Sequence, residues 1–209
     1  MTVQSSAQAM LRERWESHYA SGQTPWDTQI TPPEVQAFWR SGRLPAAGLA
    51  LDIGCGPGTN VRFLAELGLT AFGFDIALQP LQTGRNRIDQ RAPEIAHRIC
   101  FVQADVTRLP LLAAHAGYIL DIGCFHSIAP DQRQGYVDGI IGNLHVGGYF
   151  QLYAFDRTTE MSAAPDRKLL GVEENEIANR FAERLTVIEI IRARPDRYPC
   201  RWYLLQKKR

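Results

Sequence analysis

The stretch LALDIGCGPGTN, residues 49–60, decides how the rest of the chain is read. Leu49–Ile53 is an apolar run of strand length that carries one acid, Asp52. Gly54, Gly56 and Gly58 follow at alternate positions, and Thr59 opens a stretch of helical spacing that Gly68 closes. A strand, a glycine-rich turn and a helix form the unit on which α/β proteins hold nucleotide-like ligands, at the carboxyl ends of parallel strands. Glycine allows the tight turn and leaves room for a ligand against the backbone.

Outward from this unit the pattern alternates. Thr70–Phe74 reads as a second strand ending at Asp75, and Leu78–Gln90 as a helix. Ile99–Gln103 and Tyr118–Ile122 read as strands three and four, Asp131–Leu144 as a helix with Asp131 as its N-cap, and Gly147–Phe155 as strand five. A short helix is expected around Glu174–Ala182, then a β-hairpin of LTVIEIIRA and CRWYLLQ joined by RPDRYP. Strands alternating with helices imply a parallel sheet, with the hairpin adding an antiparallel end. Upstream, residues 7–20 carry Leu11, Trp15 and Tyr19 on one helical face, and PPEVQAFWRSG reads as a short helix opened by proline.

Two cofactors compete for the glycine turn. A dinucleotide loop reads G-x-G-x-x-G, so that amides opening the helix meet a pyrophosphate. Here the third glycine comes one residue early and Asp52 precedes the turn, a poor neighbour for phosphate. An acid suits S-adenosylmethionine, which bears an ammonium, a carboxylate and a sulfonium and no phosphate. Asp52 is expected to complement the ammonium, directly or through water, with the amides of Gly54, Gly56 and Gly58 along the adenosyl side. Asp75 has two oxygens with which to accept both ribose hydroxyls, a feature that fits NAD as well. Asp105, after strand three, is placed to accept from the adenine amine. Each strand-end acid alone reads equally as a solvated turn; three in succession, the first beside a glycine turn, point to a cofactor.

The chain has 209 residues, of which 45% are hydrophobic and 22% charged, with a formal net charge of +1. That suits one soluble domain, 1–209, with a helical lid over 1–45 and a cofactor-binding core over 46–209. The charge balance predicts no polyanion partner. Four cysteines, Cys55, Cys100, Cys124 and Cys200, have neither C-x-x-C nor zinc spacing, so reduced thiols, no metal and a cytoplasmic protein are expected. The polar N-terminus has no signal-peptide core, and no run reaches the length of a membrane span.

LDIGCGPGTN, FGFDIA, QADVTRLP, YILDIGCFHSI and the terminal hairpin together resemble the class I S-adenosylmethionine-dependent methyltransferases over residues 45–209. RWESHYASGQTPWD is similar to the entrance segment of the branch that includes thiopurine and tellurite-resistance methyltransferases. The resemblance implies a Rossmann-like, doubly wound α/β fold whose seven-stranded sheet is mostly parallel with an antiparallel last strand, plus the N-terminal lid. It also implies cofactor contacts from Trp15, Trp26, Asp52, Gly54, Cys55, Gly56, Gly58, Asn60, Asp75, Ile76, Asp105, Val106, Asp121 and Gly123.

The loop after strand four, DIGCFHS, is expected to face the transferred methyl group. His126 is its candidate proton acceptor or substrate-orienting group, because an ordinary imidazole titrates near neutrality. Tyr19 of the lid is counted with it as catalytic. Asp121 reads equally as a strand-end cap, and Cys124 as a small packing residue. Enzymes that methylate exocyclic amines of nucleic-acid bases place N/D-P-P-Y/F here, and no basic stripe runs along this chain, which disfavours a nucleic-acid substrate. The expected partner is a small-molecule methyl acceptor, a thiol, chalcogen or halide, with the protein a monomer or homodimer that engages neither nucleic acid nor membrane. The alternatives are an O- or N-methyltransferase of a small natural product, an NAD-dependent oxidoreductase, and a cofactor-binding domain without chemistry.

Overall fold

A computed structural model describes residues 3–112, 115–159, 170–193 and 198–209. The chain divides into two compact units, Met1–Val106 and Thr107–Arg209. The first holds α1 (Val3–Ala20), α2 (Pro33–Arg40), β1 (Leu49–Ile53), α3 (Thr59–Glu66), β2 (Thr70–Asp75), α4 (Leu78–Arg91) and β3 (Ile99–Gln103). The second holds β4 (Ala116–Ile122), α5 (Arg133–Asn143), β5 (Leu144–Phe155), α6 (Glu176–Phe181), β6 (Leu185–Ala193) and β7 (Cys200–Lys207). The fold class is the expected one: α/β, Rossmann-like, with seven strands in a mixed sheet.

In the first unit the strands lie in the order β3-β2-β1, all parallel. Asp52 of β1 stands beside Gly73 of β2, and Ile53 beside Phe74, so the two strands end level at their carboxyl edge. Leu51, Ile53, Val61, Leu64 and Phe74 are fully buried there, as expected for parallel strands covered by helices.

In the second unit the order is β4-β5-β7-β6. β4 and β5 are parallel, and β7 runs antiparallel to both of its neighbours. The last strand in sequence is thus not the last in space. Composition explains the swap: Trp202, Tyr203, Leu204 and Leu205 of β7 are buried, whereas Ile188, Ile190 and Ile191 of β6 are exposed. A strand apolar on both faces belongs inside a sheet. The residues joining the hairpin, 194–197, lie outside the described ones.

Several boundaries differ from expectation by a few residues, and two of them have a visible cause. α5 starts at Arg133 after a turn closed by Gln132 N–H on the Ala129 carbonyl, so Asp131 is not its N-cap. β5 starts at Leu144, which pairs with Ala116 across a register shift. Gly147 and Gly148, expected to open the strand, lie in its interior.

Candidate active site

The carboxyl edge of the first unit answers the question its glycines raise. Gly58 has φ +73°, a left-handed value, and a β-carbon there would stand 2.5 Å from the Phe101 ring. Gly56 has φ +52°, and a β-carbon there would stand 2.9 Å from the Tyr19 hydroxyl. Two of the three glycines are therefore demanded by the protein's own side chains. The third, Gly54, has φ +70° and donates its amide to the Phe74 carbonyl, tying the turn to the end of β2. Cys55 is buried under this turn against Gly73, where its sulfur would be 2.7 Å from a β-carbon.

Asp75 organises the turn. One of its oxygens accepts the Gly56 amide at 2.9 Å and the other the Ala77 amide at 2.9 Å. Burial pushes its carboxyl upward, the two amides pull against that, and the Glu16 charge adds to it. Each oxygen keeps a second acceptor site. Asp52 is also buried, and the side-chain oxygen of Asn60, in the first turn of α3, is buried with no hydrogen-bond partner among the described residues. Ile76 accepts the Gln103 side-chain amide on its carbonyl. Asp105 is half-buried just past β3, and buried Val106, the last residue of the unit, begins a short 3-10 turn.

The aromatic residues of α1 and the turn after it form one cluster. Trp26 stacks edge-on against Trp15 at 5.5 Å, His18 at 5.7 Å and Tyr19 at 6.0 Å. Its indole N–H donates to the Tyr19 hydroxyl at 3.2 Å. Burial and the Asp75 charge hold that phenol well above its ordinary range, so it stays protonated. Trp26 keeps 45% of its surface exposed, more than a core residue would.

The sequence carried little sign of what fastens the N-terminal segment to α4. The Glu16 carboxylate accepts the amides of Leu78 at 2.5 Å and Gln79 at 3.2 Å, capping α4 from a residue 62 positions away. Asp27 pairs with Arg87 at 3.0 Å. Ala77 at the helix entrance offers no side-chain cap, which was the one sequence signal that another residue must supply it.

In the second unit, Asp121 at the end of β4 is fully buried and accepts the amides of Cys124 at 2.8 Å and Phe125 at 3.0 Å, together with the Tyr136 hydroxyl. Burial pushes it up to about 7 against the pull of these donors. These contacts curl the loop into a 3-10 turn, Phe125–Ser127, after Gly123 at φ +88°. His126 is buried in that turn. Its Nδ1 accepts the Phe155 amide at 3.2 Å, and its ring lies 4.6 Å from the Phe155 ring. Burial, with the Arg133 charge, pushes it down to about 3, so the ring is neutral across the physiological range.

Arg133 was also missed. It is 1% exposed, donates to the carbonyls of Ile128 at 3.0 Å and Gly171 at 2.7 Å, pairs with Glu176 at 2.6 Å, and lies over the Phe125 ring at 5.0 Å. Glu176 also takes Arg180 at 2.6 Å. A buried arginine is rare enough that sequence position gave no cue to it.

Among the described residues no three His, Cys, Asp or Glu side chains form a metal-binding group, and no helix is long and apolar enough to cross a membrane.

The chain is similar to known proteins. The family described as a methyltransferase domain matches residues 50–148. An uncharacterized methyltransferase of Schizosaccharomyces pombe is 34% identical over 110 residues, covering 53% of this chain and 73% of that protein. The 2-heptyl-1-hydroxyquinolin-4(1H)-one methyltransferase of Mycobacteroides abscessus is 27% identical over 154 residues, 70% of this chain and 66% of that one. The fold is that of the Burkholderia thailandensis 1,6-didemethyltoxoflavin-N1-methyltransferase, solved with 1,6-didemethyltoxoflavin and S-adenosylhomocysteine, at TM-score 0.77 and 22% identity over 100% of this chain and 92% of that one.

Proposed function

We propose the reaction of this chain from one premise: it belongs to the class I S-adenosylmethionine-dependent methyltransferase family. The residues present fit that cofactor. The segment 49–61 contains no lysine or arginine, and buried Asp52 and Asp75 would meet a pyrophosphate with charge of its own sign. The same acids favour a cationic ligand, and the Asn60 oxygen, buried without a partner among the described residues, accepts from an ammonium or hydroxyl. This acid-and-glycine cradle carries the reading. Bound S-adenosylmethionine supplies a methyl group already activated on a positively charged sulfur.

The roles divide by unit. Asp52, Gly54, Cys55, Gly56, Gly58, Asn60, Asp75, Ile76, Asp105 and Val106 hold the cofactor, and Trp15 and Trp26 exclude water above it. Asp121 and Gly123, on the loop after β4, are counted with the cofactor residues and His126 with the acceptor, and Asp121 shapes the loop. Tyr19, protonated and seated over Gly56, orients rather than removes protons. Such a site aligns nucleophile, methyl and leaving group and keeps water away.

The acceptor is a small nucleophile. The lid sequence supports a thiol, a chalcogen or a halide. The hydroxyquinolone-methylating relative favours a second reading, O- or N-methylation of a small natural product. A screen with methyl-labelled S-adenosylmethionine in closed vials, against thiols, halides, phenols and ring-nitrogen heterocycles, tests both. Label in one acceptor class identifies it; binding of the cofactor with label in none would remove the proposal.

A further inference from the structure

The Tyr19 hydroxyl stands against the glycine turn: a β-carbon on Gly56 would lie 2.9 Å from its oxygen. Its hydrogen bond with the Trp26 indole, at 3.2 Å, has only one direction, because an indole N–H donates and never accepts. The phenol oxygen is therefore the acceptor in that bond, and the phenol hydrogen points elsewhere. The ring has little freedom to turn away. Trp26 meets it edge-on at 6.0 Å and is itself flanked by Trp15 at 5.5 Å and His18 at 5.7 Å. Glu16, one turn earlier on α1, is fastened to the Leu78 and Gln79 amides, and Asp27, next to Trp26, pairs with Arg87 at 3.0 Å. Burial, with the Asp75 charge beside it, keeps the phenol protonated. The result is a neutral O–H donor fixed over a turn whose own charges are negative: Asp52 and Asp75 are buried there, and residues 49–61 contain no lysine or arginine.

That charge pattern suits one end of S-adenosylmethionine's amino-acid group and not the other. Buried acids favour its ammonium and repel its carboxylate, and two nearby cations are already engaged: Arg87 by Asp27, and Arg62 of α3 by Glu66 at 3.3 Å. We propose that the Tyr19 hydroxyl, aimed by the Trp26 indole, donates to the carboxylate at the amino-acid end of the methyl donor. The inference rests on the methyl-transfer reading and deepens it by assigning the part of the donor that Tyr19 reads. A neutral donor is the group this place allows. A cation at position 19 would be drawn to Asp75, whose two oxygens are needed by the Gly56 and Ala77 amides that shape the turn. Trp26 acts through Tyr19 and is a positioning residue. Neither side chain makes or breaks a bond; together they select a donor that carries its carboxylate over one that lacks it.

Calorimetry of the full chain with two ligands tests this: S-adenosylhomocysteine, and the analogue of it that lacks only the carboxylate and keeps the amine. Wild type is expected to bind the first about 10- to 100-fold more tightly than the second, the span of one hydrogen bond to a charged group. Y19F keeps the ring and loses the donor. It should bind S-adenosylhomocysteine about 10- to 100-fold more weakly than wild type does, with affinity for the analogue unchanged within about twofold. W26F keeps an aromatic edge and loses the indole N–H, and should weaken S-adenosylhomocysteine selectively, by less than Y19F. Equal loss for both ligands in Y19F, with circular dichroism unchanged, means that Tyr19 only braces α1 and contradicts the proposal. A Y19F variant that binds S-adenosylhomocysteine as tightly as wild type also contradicts it. Failure of wild type to bind S-adenosylhomocysteine at all would remove the methyl-donor reading and this inference with it, so the two failures give different results.

Discussion

At the scale of single residues, the glycine turn is explained by what lies against it. Gly58→Ala forces a methyl group into the Phe101 ring at a left-handed φ. Overpacking costs about 1–3 kcal/mol and the backbone conformation about 1–2 kcal/mol more. Urea unfolding should show a loss of that size. The double variant with Phe101→Ala should lose less than the sum of the two singles, because the clash disappears; strict additivity would mean that the ring is not what the glycine avoids. Tyr136→Phe removes a side-chain donor that Asp121 accepts alongside backbone amides, and a net loss of about 1 kcal/mol is expected. The glycine spacing was legible in the sequence because the turn demands it locally. That Phe101, 43 positions away, enforces Gly58 was not, because sequence spacing carries no information on tertiary contact.

At the scale of elements, two fastenings hold segments that propensity alone would leave loose. α1 is joined to α4 by Glu16, which takes two amides at the start of α4. Replacing an N-terminal cap costs about 1 kcal/mol. Glu16→Ala should therefore speed hydrogen exchange of the Leu78 and Gln79 amides while leaving the strands protected; unchanged exchange there would show that the carboxylate does not cap the helix. Arg133 and Glu176 are the second fastening, joining α5 to the start of α6. Breaking a buried pair from one side costs about 3–5 kcal/mol, so Arg133→Ala should lower the unfolding midpoint far more than Arg157→Ala, whose pair with Glu173 is largely exposed. The strands and most helices could be read from alternation and periodicity. The capping by Glu16, the buried arginine and the insertion of β7 beside β5 could not, since each depends on partners brought together only by folding.

At the scale of the whole molecule, two buried groups bias stability in opposite directions. His126 is held near 3 against an ordinary 6.5, so between these values the unfolded chain binds the extra proton and stability rises with pH. Asp121 is held near 7 against an ordinary 3.8, so between these values the folded chain keeps the extra proton and stability falls as pH rises. From about pH 4 to 6.5 the two slopes cancel, each at most about 1.4 kcal/mol per pH unit. H126Q should tilt the stability profile downward with rising pH relative to wild type, and D121N should tilt it upward. Denaturation at several pH values checks this; variants whose profiles stay parallel to wild type would contradict the burial of both groups.

The central claim is that the acids at the end of β1 and β2 hold a phosphate-free, cationic methyl donor. Calorimetric titration of the full chain with S-adenosylhomocysteine and, separately, with NAD tests it most directly. One saturating site for S-adenosylhomocysteine is expected, no measurable heat from NAD, and an affinity about 10- to 100-fold lower in Asp75→Asn, the span of one charge-assisted hydrogen bond. Saturation by NAD with none by S-adenosylhomocysteine would contradict the account.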